Sequence, residues 1–272
     1  MPFEELPTVP ADPEGDGILW DVVEQHFDEA EFQSEAFERA LESAIHTLET
    51  VAKGPERSLF AHLDGLAVNG AAVVERVLMP ALAEPDPAYP SKTVAAGLAL
   101  IQAGQGHQIR SALVQDAALV RQAAARAGGL SASHDLDRWV VTQMASTRVP
   151  TEVAGLLAYV TERRLPTAGP LFAWLHDADP VIAAAAARAV PWSDFRAHLP
   201  ALEDLLRRPE PEVREAARLP ALCAGSQVAW ADCEAAALAP TPSASAACLY
   251  AALGGPSEHA KLVGRLESAE AK

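Results

Sequence analysis

The sequence predicts an all-α protein, with an N-terminal helical bundle followed by an α-solenoid of repeated helix pairs. Apolar residues make up 50% of the chain and are mostly Ala and Leu, a composition that favours closely packed helices. A unit recurs about every thirty residues: a turn containing Pro or an acid, then a β-branched or small residue that opens an Ala-rich helix. The Ala runs lack the alternation of strands, so a β fold is excluded.

Residues 1–17 are rich in Pro and acidic residues and are predicted to be a flexible lead-in. Residues 18–84 follow as an acidic helical bundle. Its first apolar stripe recurs at steps of three and four, which fits either one long bent helix or two helices broken near Ser34. The members of that stripe are Trp20, Val23, Phe27, Ala30, Phe37, Leu41, Ile45 and Leu48.

Two glycine-containing pairs divide the rest of the bundle. Gly54-Pro55 is predicted to end one helix and start the next, because Gly suits a C-terminal cap and Pro suits a first helical turn. Asn69-Gly70 is predicted to end that next helix. A last apolar stripe, from Val73 to Leu82, completes the bundle.

Residues 91–267 are predicted to form the repeated helix pairs. Aligning the repeats on Val94, Val120, Val153, Ile182, Val213 and Ala244 gives spacings of 26, 33, 29, 31 and 31 residues. The second helices of the later pairs are expected to start near the last five of these residues. Proline suits such starts, because its φ is already helical and a first-turn amide has no helical acceptor to lose.

The formal net charge of −16 is concentrated in the first third of the chain. Residues 1–90 carry 19 Asp and Glu against 4 Lys and Arg, whereas residues 91–272 carry 18 against 17. This asymmetry predicts a domain boundary at the proline-rich stretch 85–90. It also argues against a nucleic-acid-binding protein, which needs a basic surface to neutralise phosphates.

The sequence predicts a cytoplasmic protein. No stretch approaches the roughly 18 apolar residues of a membrane span, and the acidic N-terminal residues do not match a secretory signal. The cysteines Cys223, Cys233 and Cys248 have no metal-type spacing, so they are expected to be reduced core thiols.

No common catalytic motif is present. The chain lacks G-x-x-x-x-G-K-[ST], G-x-G-x-x-G after a strand, G-x-S-x-G and H-E-x-x-H. It is therefore predicted not to be an enzyme, and to carry no cofactor and no metal.

Two histidines lie in settings that invite a chemical interpretation. His26 stands between Glu24 and Asp28 and could join these carboxylates around a metal, but no Cys or suitably spaced second His accompanies it. His62 and Asp64 are two residues apart on a predicted helix, so they face different sides. The preferred interpretation of His62 is that it packs between helices, with Asp64-Gly65 setting the local geometry, and a metal site at His26 is not favoured.

Seven acidic residues follow one another at alternating steps of three and four, which on a continuous helix places them in one stripe. Like charges at these spacings repel by roughly 0.2–0.5 kcal/mol per pair. The stripe is therefore a candidate docking surface for a basic partner protein, and the alternative is a solvated face opposite the core. We call these residues the acidic face: Asp21, Glu24, Asp28, Glu31, Glu35, Glu38 and Glu42.

A second candidate surface is formed by arginines on the predicted second helices, which would line the concave side of a solenoid. The alternative is that they are solvated or pair with Asp116, Asp179 and Glu210 of the preceding turns. We call them the second-helix arginines: Arg121, Arg126, Arg188, Arg214 and Arg218.

Two resemblances add to this interpretation. The segments Asp179-Pro180-Val181-Ile182 and Glu210-Pro211-Glu212-Val213, with their Ala-rich continuations, resemble HEAT repeats over about 91–267. Over residues 20–82 the chain resembles an uncharacterised proteobacterial HEAT-repeat family. That resemblance is carried by the E-x-H-x-x-E-A segment at 24–30 and the H-L-D-G-L-x-x-x-G segment at 62–70.

Members of that family are often encoded near type VI secretion genes, which implies a non-catalytic adaptor, chaperone or scaffold for secretion cargo. One alternative is an enzyme or enzyme accessory of the bilin-lyase-like HEAT type, and another is a structural subunit of a larger complex. Di-iron HEAT-type hydroxylases use His-Glu dipeptides as ligands. None of the eight histidines is followed by Glu, so this class of enzyme is excluded.

Overall fold

The computed structural model describes residues 17–43, 45–166 and 171–270, and within these ranges it contains helices and no strand, which confirms the all-α prediction. The expected lead-in, except Gly17, lies outside the described residues. The α-helices are α1 (Trp20–Glu42), α2 (Leu48–Val51), α3 (Arg57–Ala67), α4 (Gly70–Val73), α5 (Met79–Ala83), α6 (Pro90–Gln102), α7 (Gly106–Leu113), α8 (Ala118–Leu130), α9 (His134–Ser146), α10 (Pro150–Arg163), α11 (Leu171–Leu175), α12 (Pro180–Ala189), α13 (Leu199–Leu205), α14 (Pro211–Cys223), α15 (Gln227–Ala237), α16 (Ala244–Leu253) and α17 (Pro256–Glu270).

The chain divides into two compact units, of which the first ends at Ala112 and the second begins at Leu113. Helix α6 packs against α1 and α3, so it belongs to the first unit although it follows the proline-rich stretch. The contacts therefore divide later in the chain than the change in charge at 85–90.

The first unit is built on α1, a single continuous helix of 23 residues, so the alternative of a break near Ser34 is wrong. Val23, Phe27, Ala30 and Phe37 are buried, as the stripe predicted. At the C-terminal end of the stripe, the predicted burial is wrong. Leu41 still lies on α1 but is 44% exposed, whereas Ile45 and Leu48 are 87% and 81% exposed because α1 ends at Glu42 and the chain no longer follows the same helix.

The chain does not break at Gly54-Pro55 as expected. A π-helical turn, Ala52–Glu56, carries it from α2 directly into α3. Pro55 has no amide hydrogen, and its ring would collide with the carbonyl four residues earlier in a regular α-helix, so the irregular turn accommodates it. The predicted end at Asn69-Gly70 is confirmed: α3 ends at Ala67, and Gly70 adopts a left-handed φ of 72°.

In the second unit, helices start at Ala118, Pro150, Pro180, Pro211 and Ala244, close to the five predicted helix starts. Helix α8 packs on α10, α10 on α12, and α12 on α14. A preceding helix joins most of them: α9 contacts α10, α11 contacts α12, α13 contacts α14, and α15 contacts α16. Proline opens α10, α12 and α14, while serine caps α9, α15 and α16 by accepting a first-turn amide.

Small residues let α10 approach both α8 and the C-terminal end of α7 closely. A Cβ on Gly128 of α8 would lie 2.4 Å from the ring of Tyr159 of α10, and one on Gly155 of α10 would lie 1.8 Å from the backbone oxygen of Leu113 of α7. Tyr159 is fully buried and donates a hydrogen bond of 2.8 Å to Asp137. The glycines are therefore required by packing rather than by backbone conformation.

The cysteines are free, but only one is a core thiol. Cys233 is buried with Ala237, Ala246 and Tyr250, whereas Cys223 and Cys248 are exposed. The prediction of core positions is therefore wrong for these two.

Candidate functional site

The acidic face lies beside the buried side of α1 rather than opposite to it. Glu24 directly follows the buried Val23, and Asp28 directly follows the buried Phe27. Asp21, Glu24 and Asp28 are exposed, and none of them forms a hydrogen bond or ion pair within the described part of the chain. The N-terminal half of α1 therefore presents three carboxylates to solvent.

The C-terminal half of the acidic face is different, because its members interact with the chain itself. Glu35 lies 3.4 Å from Arg39, and Glu31 lies 3.9 Å from Lys92 of α6. Burial, partly opposed by Lys92, raises the pKa of Glu31 above its usual range. Glu38 is half-buried, and the side chain of Glu42 lies outside the described residues. The exposed, unpaired charge is thus concentrated at the start of α1.

An exposed aromatic residue accompanies these carboxylates. Phe32, one turn beyond Asp28, is 56% exposed. It lines a shallow surface groove of about 630 Å³ together with Asp21, Glu24, Gln25, Asp28 and Glu29. Apolar periodicity misses Phe32, because it falls between the buried positions, but a large aromatic residue on a polar face is a signal in its own right. Aromatic residues with a polar surround are common anchors of protein interfaces.

The structure brings together two histidines that the sequence left separate. Nδ1 of His26 on α1 lies 3.0 Å from Nδ1 of His62 on α3. A Cβ on Gly65 would come within 3.0 Å of the His26 ring, so Gly65 makes room for it. The E-x-H-x-x-E-A and H-L-D-G-L segments therefore meet in one helix contact. At least one of the two imidazoles is neutral in such a hydrogen bond, because the accepting nitrogen carries no proton.

His62 packs against α1, as predicted, and the sequence did not predict that its partner there is His26. Asp64 points its carboxylate to another element and accepts a hydrogen bond of 2.7 Å from Gln102. Among the described residues, no group of three or more His, Cys, Asp or Glu is arranged to hold a metal ion.

Two of the second-helix arginines bind the chain that precedes their own helix. Nη1 of Arg121 donates to the carbonyl oxygens of Gln115 and Asp116. Nη1 of Arg214 donates to those of Arg208 and Pro209, at 2.8 Å each. These residues hold the turn onto the helix, and they do so through backbone carbonyls rather than the acidic side chains considered from sequence.

The other three second-helix arginines have different surroundings. Arg126 forms a 2.6 Å ion pair with Glu162, and Arg218 forms one of 2.9 Å with Asp232. Arg188 is exposed and forms no hydrogen bond or ion pair within the described ranges. It lines a groove of about 430 Å³ across α8, α10 and α12, together with Arg121 and Glu162. Four of the five arginines are therefore committed to contacts within the protein.

Comparison of the chain with protein-family models, with curated proteins and with solved structures finds no match. Within the described ranges, no single helix is both long and apolar enough to cross a membrane. The helical segments Leu48–Ala67 and Gly70–Ala83 meet that criterion only when taken together, across a bend of 111°.

Proposed function

We propose that this protein is a non-catalytic adaptor that binds a basic surface of another protein through the acidic face. The observation that carries the proposal is the exposure of Asp21, Glu24 and Asp28, unpaired and beside the exposed Phe32. Three carboxylates at this spacing repel one another, and an aromatic ring in water contributes nothing to the core. Both costs are removed when a partner supplies Lys or Arg and covers the ring.

We further propose that the second unit is a HEAT-like solenoid that acts as a scaffold. The succession α8, α10, α12 and α14, each packed on the next, supports this arrangement. Solenoids of this type offer extended surfaces for protein binding. On the basis of the N-terminal resemblance, we propose that this adaptor acts in the loading or assembly of type VI secretion cargo.

The test is a quantitative affinity capture from the native host, with three baits compared side by side. One bait is the wild-type chain, and the second carries Asp21→Lys, Glu24→Lys and Asp28→Lys. The third carries Glu75→Lys, Glu84→Lys and Glu212→Lys, three exposed residues on other segments of the chain. This control changes the net charge by the same amount.

A basic protein retained by the wild type and the control, but lost by the α1 variant, supports the proposal. Equal retention by all three baits would contradict it. The structure favours this triple substitution over reversal of Glu31 and Glu35, because a lysine at position 31 would face Lys92 and perturb the contact between α1 and α6.

Substitution of Phe32 tests whether the partner binds through a specific aromatic anchor in addition to attraction between charges. Phe32→Ala should weaken binding of the captured partner by about tenfold, since a buried aromatic anchor contributes more than 1 kcal/mol to an interface. Ile45→Ala, at an exposed apolar residue outside α1, is the matched control. Equal affinities for the two variants would show that the ring is outside the interface.

A further inference from the structure

We propose that the cleft between α14 and α15 binds a carboxylate group, held by the guanidinium of Arg218. The cleft has a volume of about 300 Å³ and is lined by α14, α15 and the segment before α16. Its polar lining residues are Arg214, Glu215, Arg218, Asp232, Thr241 and Ser243. This site lies in the second unit and is independent of the acidic face.

The Arg218 side chain has unused donors although it is only 3% exposed. Its Nε donates to Asp232 at 2.9 Å. Its Nη1 is withdrawn from solvent and has no hydrogen-bond acceptor within the described part of the chain. A buried charged donor without an acceptor is costly, so nearly all such groups in folded proteins have one.

Two other arginines of the second unit have the hydrogen-bond acceptors that Nη1 of Arg218 lacks among the described residues. Nη1 of Arg121 and Nη1 of Arg214 each reach two backbone carbonyl oxygens. Arg218 lies one helical turn after Arg214 on α14, and its Nη1 reaches no carbonyl oxygen of the described residues. An oxygen of a ligand in the cleft would supply the acceptor that the described residues do not.

The charges around the cleft select a singly charged ligand. A guanidinium presents parallel N–H groups that match the two oxygens of a carboxylate, and phosphate can use the same fork. Asp232 and Glu215 already lie in the cleft as carboxylates, and the hydrogen bond from Ser243 keeps the pKa of Glu215 below its usual range. The two arginines and two carboxylates of the cleft sum to no net charge, so a bound carboxylate adds one negative charge whereas a doubly charged phosphate adds two and is repelled more strongly.

The remaining lining suits the carbon skeleton of a small acid. Ala235, Ala236 and Ala239 form an apolar wall, and the exposed Thr241 adds a hydroxyl. A cleft of about 300 Å³ lies at the lower limit of small-molecule sites. It therefore has room for a small carboxylic acid or for the last residue of a peptide, and these are the two sources of a carboxylate to be distinguished.

The experiment uses the full-length chain labelled with ¹⁵N-arginine, and follows the Nε–Hε resonances by NMR. The probes are acetate, inorganic phosphate, and a short peptide with a free carboxyl terminus, each against sodium chloride at the same ionic strength. We expect acetate to shift the Arg218 resonance saturably, with a Kd on the order of millimolar. The peptide should shift the same resonance, and its amidated form should not.

The comparison of acetate with the peptide identifies the source. Tighter binding of the peptide than of acetate would assign the site to a protein terminus, and the reverse would assign it to a free acid. No saturable shift with either probe, or a phosphate affinity equal to that of acetate, would overturn the proposal.

Two substitutions locate the site. Ala235→Leu fills the mouth of the cleft from an exposed position and should weaken acetate binding at least about tenfold, whereas Ala231→Leu, exposed on the same helix and outside the cleft, should not. Arg218→Lys keeps the charge but removes the fork, and should weaken binding similarly if it remains folded by circular dichroism. Unchanged binding in Ala235→Leu would place the carboxylate elsewhere and contradict the assignment.

Discussion

Substitution of Gly155 by Ala probes the close packing of the second unit. In the structure, a Cβ at this position would lie 1.8 Å from the backbone oxygen of Leu113 and 3.0 Å from Cδ of Arg121. The first contact is with backbone, so no side-chain rotation relieves it. Helix α10 and the C-terminal end of α7 must therefore separate by about 1.5 Å to restore an ordinary carbon–oxygen contact of about 3.3 Å.

The expected loss follows from two opposing effects. Overpacking of a tight core typically costs about 1–3 kcal/mol, and a collision this short with immobile backbone belongs at the upper end. Alanine is intrinsically better than glycine inside a helix by about 1 kcal/mol, which offsets part of the cost. The free energy of unfolding of Gly155→Ala should therefore fall by about 2 kcal/mol.

Urea unfolding followed by tryptophan fluorescence measures this change, because four of the five tryptophans lie in the second unit. Gly264→Ala is the matched control. It makes the same substitution in α17, where a Cβ would meet no atom within 4 Å, so the variant should be as stable as wild type or up to about 1 kcal/mol more stable. A Gly155→Ala variant as stable as wild type would refute the close approach.

Two further predictions concern the histidine pair and acid stability. Gly65→Ala should lower the free energy of unfolding of the first unit by about 1 kcal/mol, because its Cβ would meet the His26 ring. This loss should be smaller when His26→Ala is also present. A loss of the same size in the His26→Ala background would contradict the contact. For Asp137, burial opposes ionisation, but hydrogen bonds from Arg163 and Tyr159 outweigh it and hold its pKa below the usual range. The folded state therefore binds this proton less readily than the unfolded chain, so stability is retained above about pH 4 and lost as the pH falls through the lowered pKa. Asp137→Asn should flatten the pH dependence of urea unfolding below about pH 5, and an unaltered slope would show that this carboxylate is not coupled to folding.

Helix starts that depend only on neighbouring residues could be predicted from sequence. Proline at the first turn of α10, α12 and α14 fixes a helix start through its own backbone, whatever the rest of the chain does. Serine before α16 acts through an amide three residues away, which is equally local. The helix starts in the second unit were accordingly confirmed.

Features that depend on which helices meet could not be predicted in the same way. Periodicity placed Ile45 and Leu48 in the core, but burial is decided by the neighbour that a helix face meets after the chain has turned. The contact between His26 and His62 joins residues 36 positions apart, and no local rule links them. Gly65, with no strained backbone of its own, is explained only once the His26 ring is seen against it.

The candidate site likewise has features that the sequence predicted and features that it could not predict. The spacing from Asp21 to Glu42 predicted a row on one helix, and α1 does run without a break from Trp20 to Glu42. It could not show that Glu31 would approach Lys92, or that Arg121 and Arg214 would be occupied by carbonyl oxygens. Exposure of Phe32 among the unpaired carboxylates became visible only in the folded first unit.

The central claim is that exposed carboxylates at the start of α1 attract a basic partner, and the salt dependence of association tests it most directly. Surface charges are screened over about 8 Å at physiological ionic strength, so the association rate of the captured partner should fall at least about tenfold between low and high salt. The variant carrying Asp21→Lys, Glu24→Lys and Asp28→Lys should associate slowly at low salt and lose that dependence. An association rate that is the same for the wild type and this variant, at every salt concentration, would contradict the account.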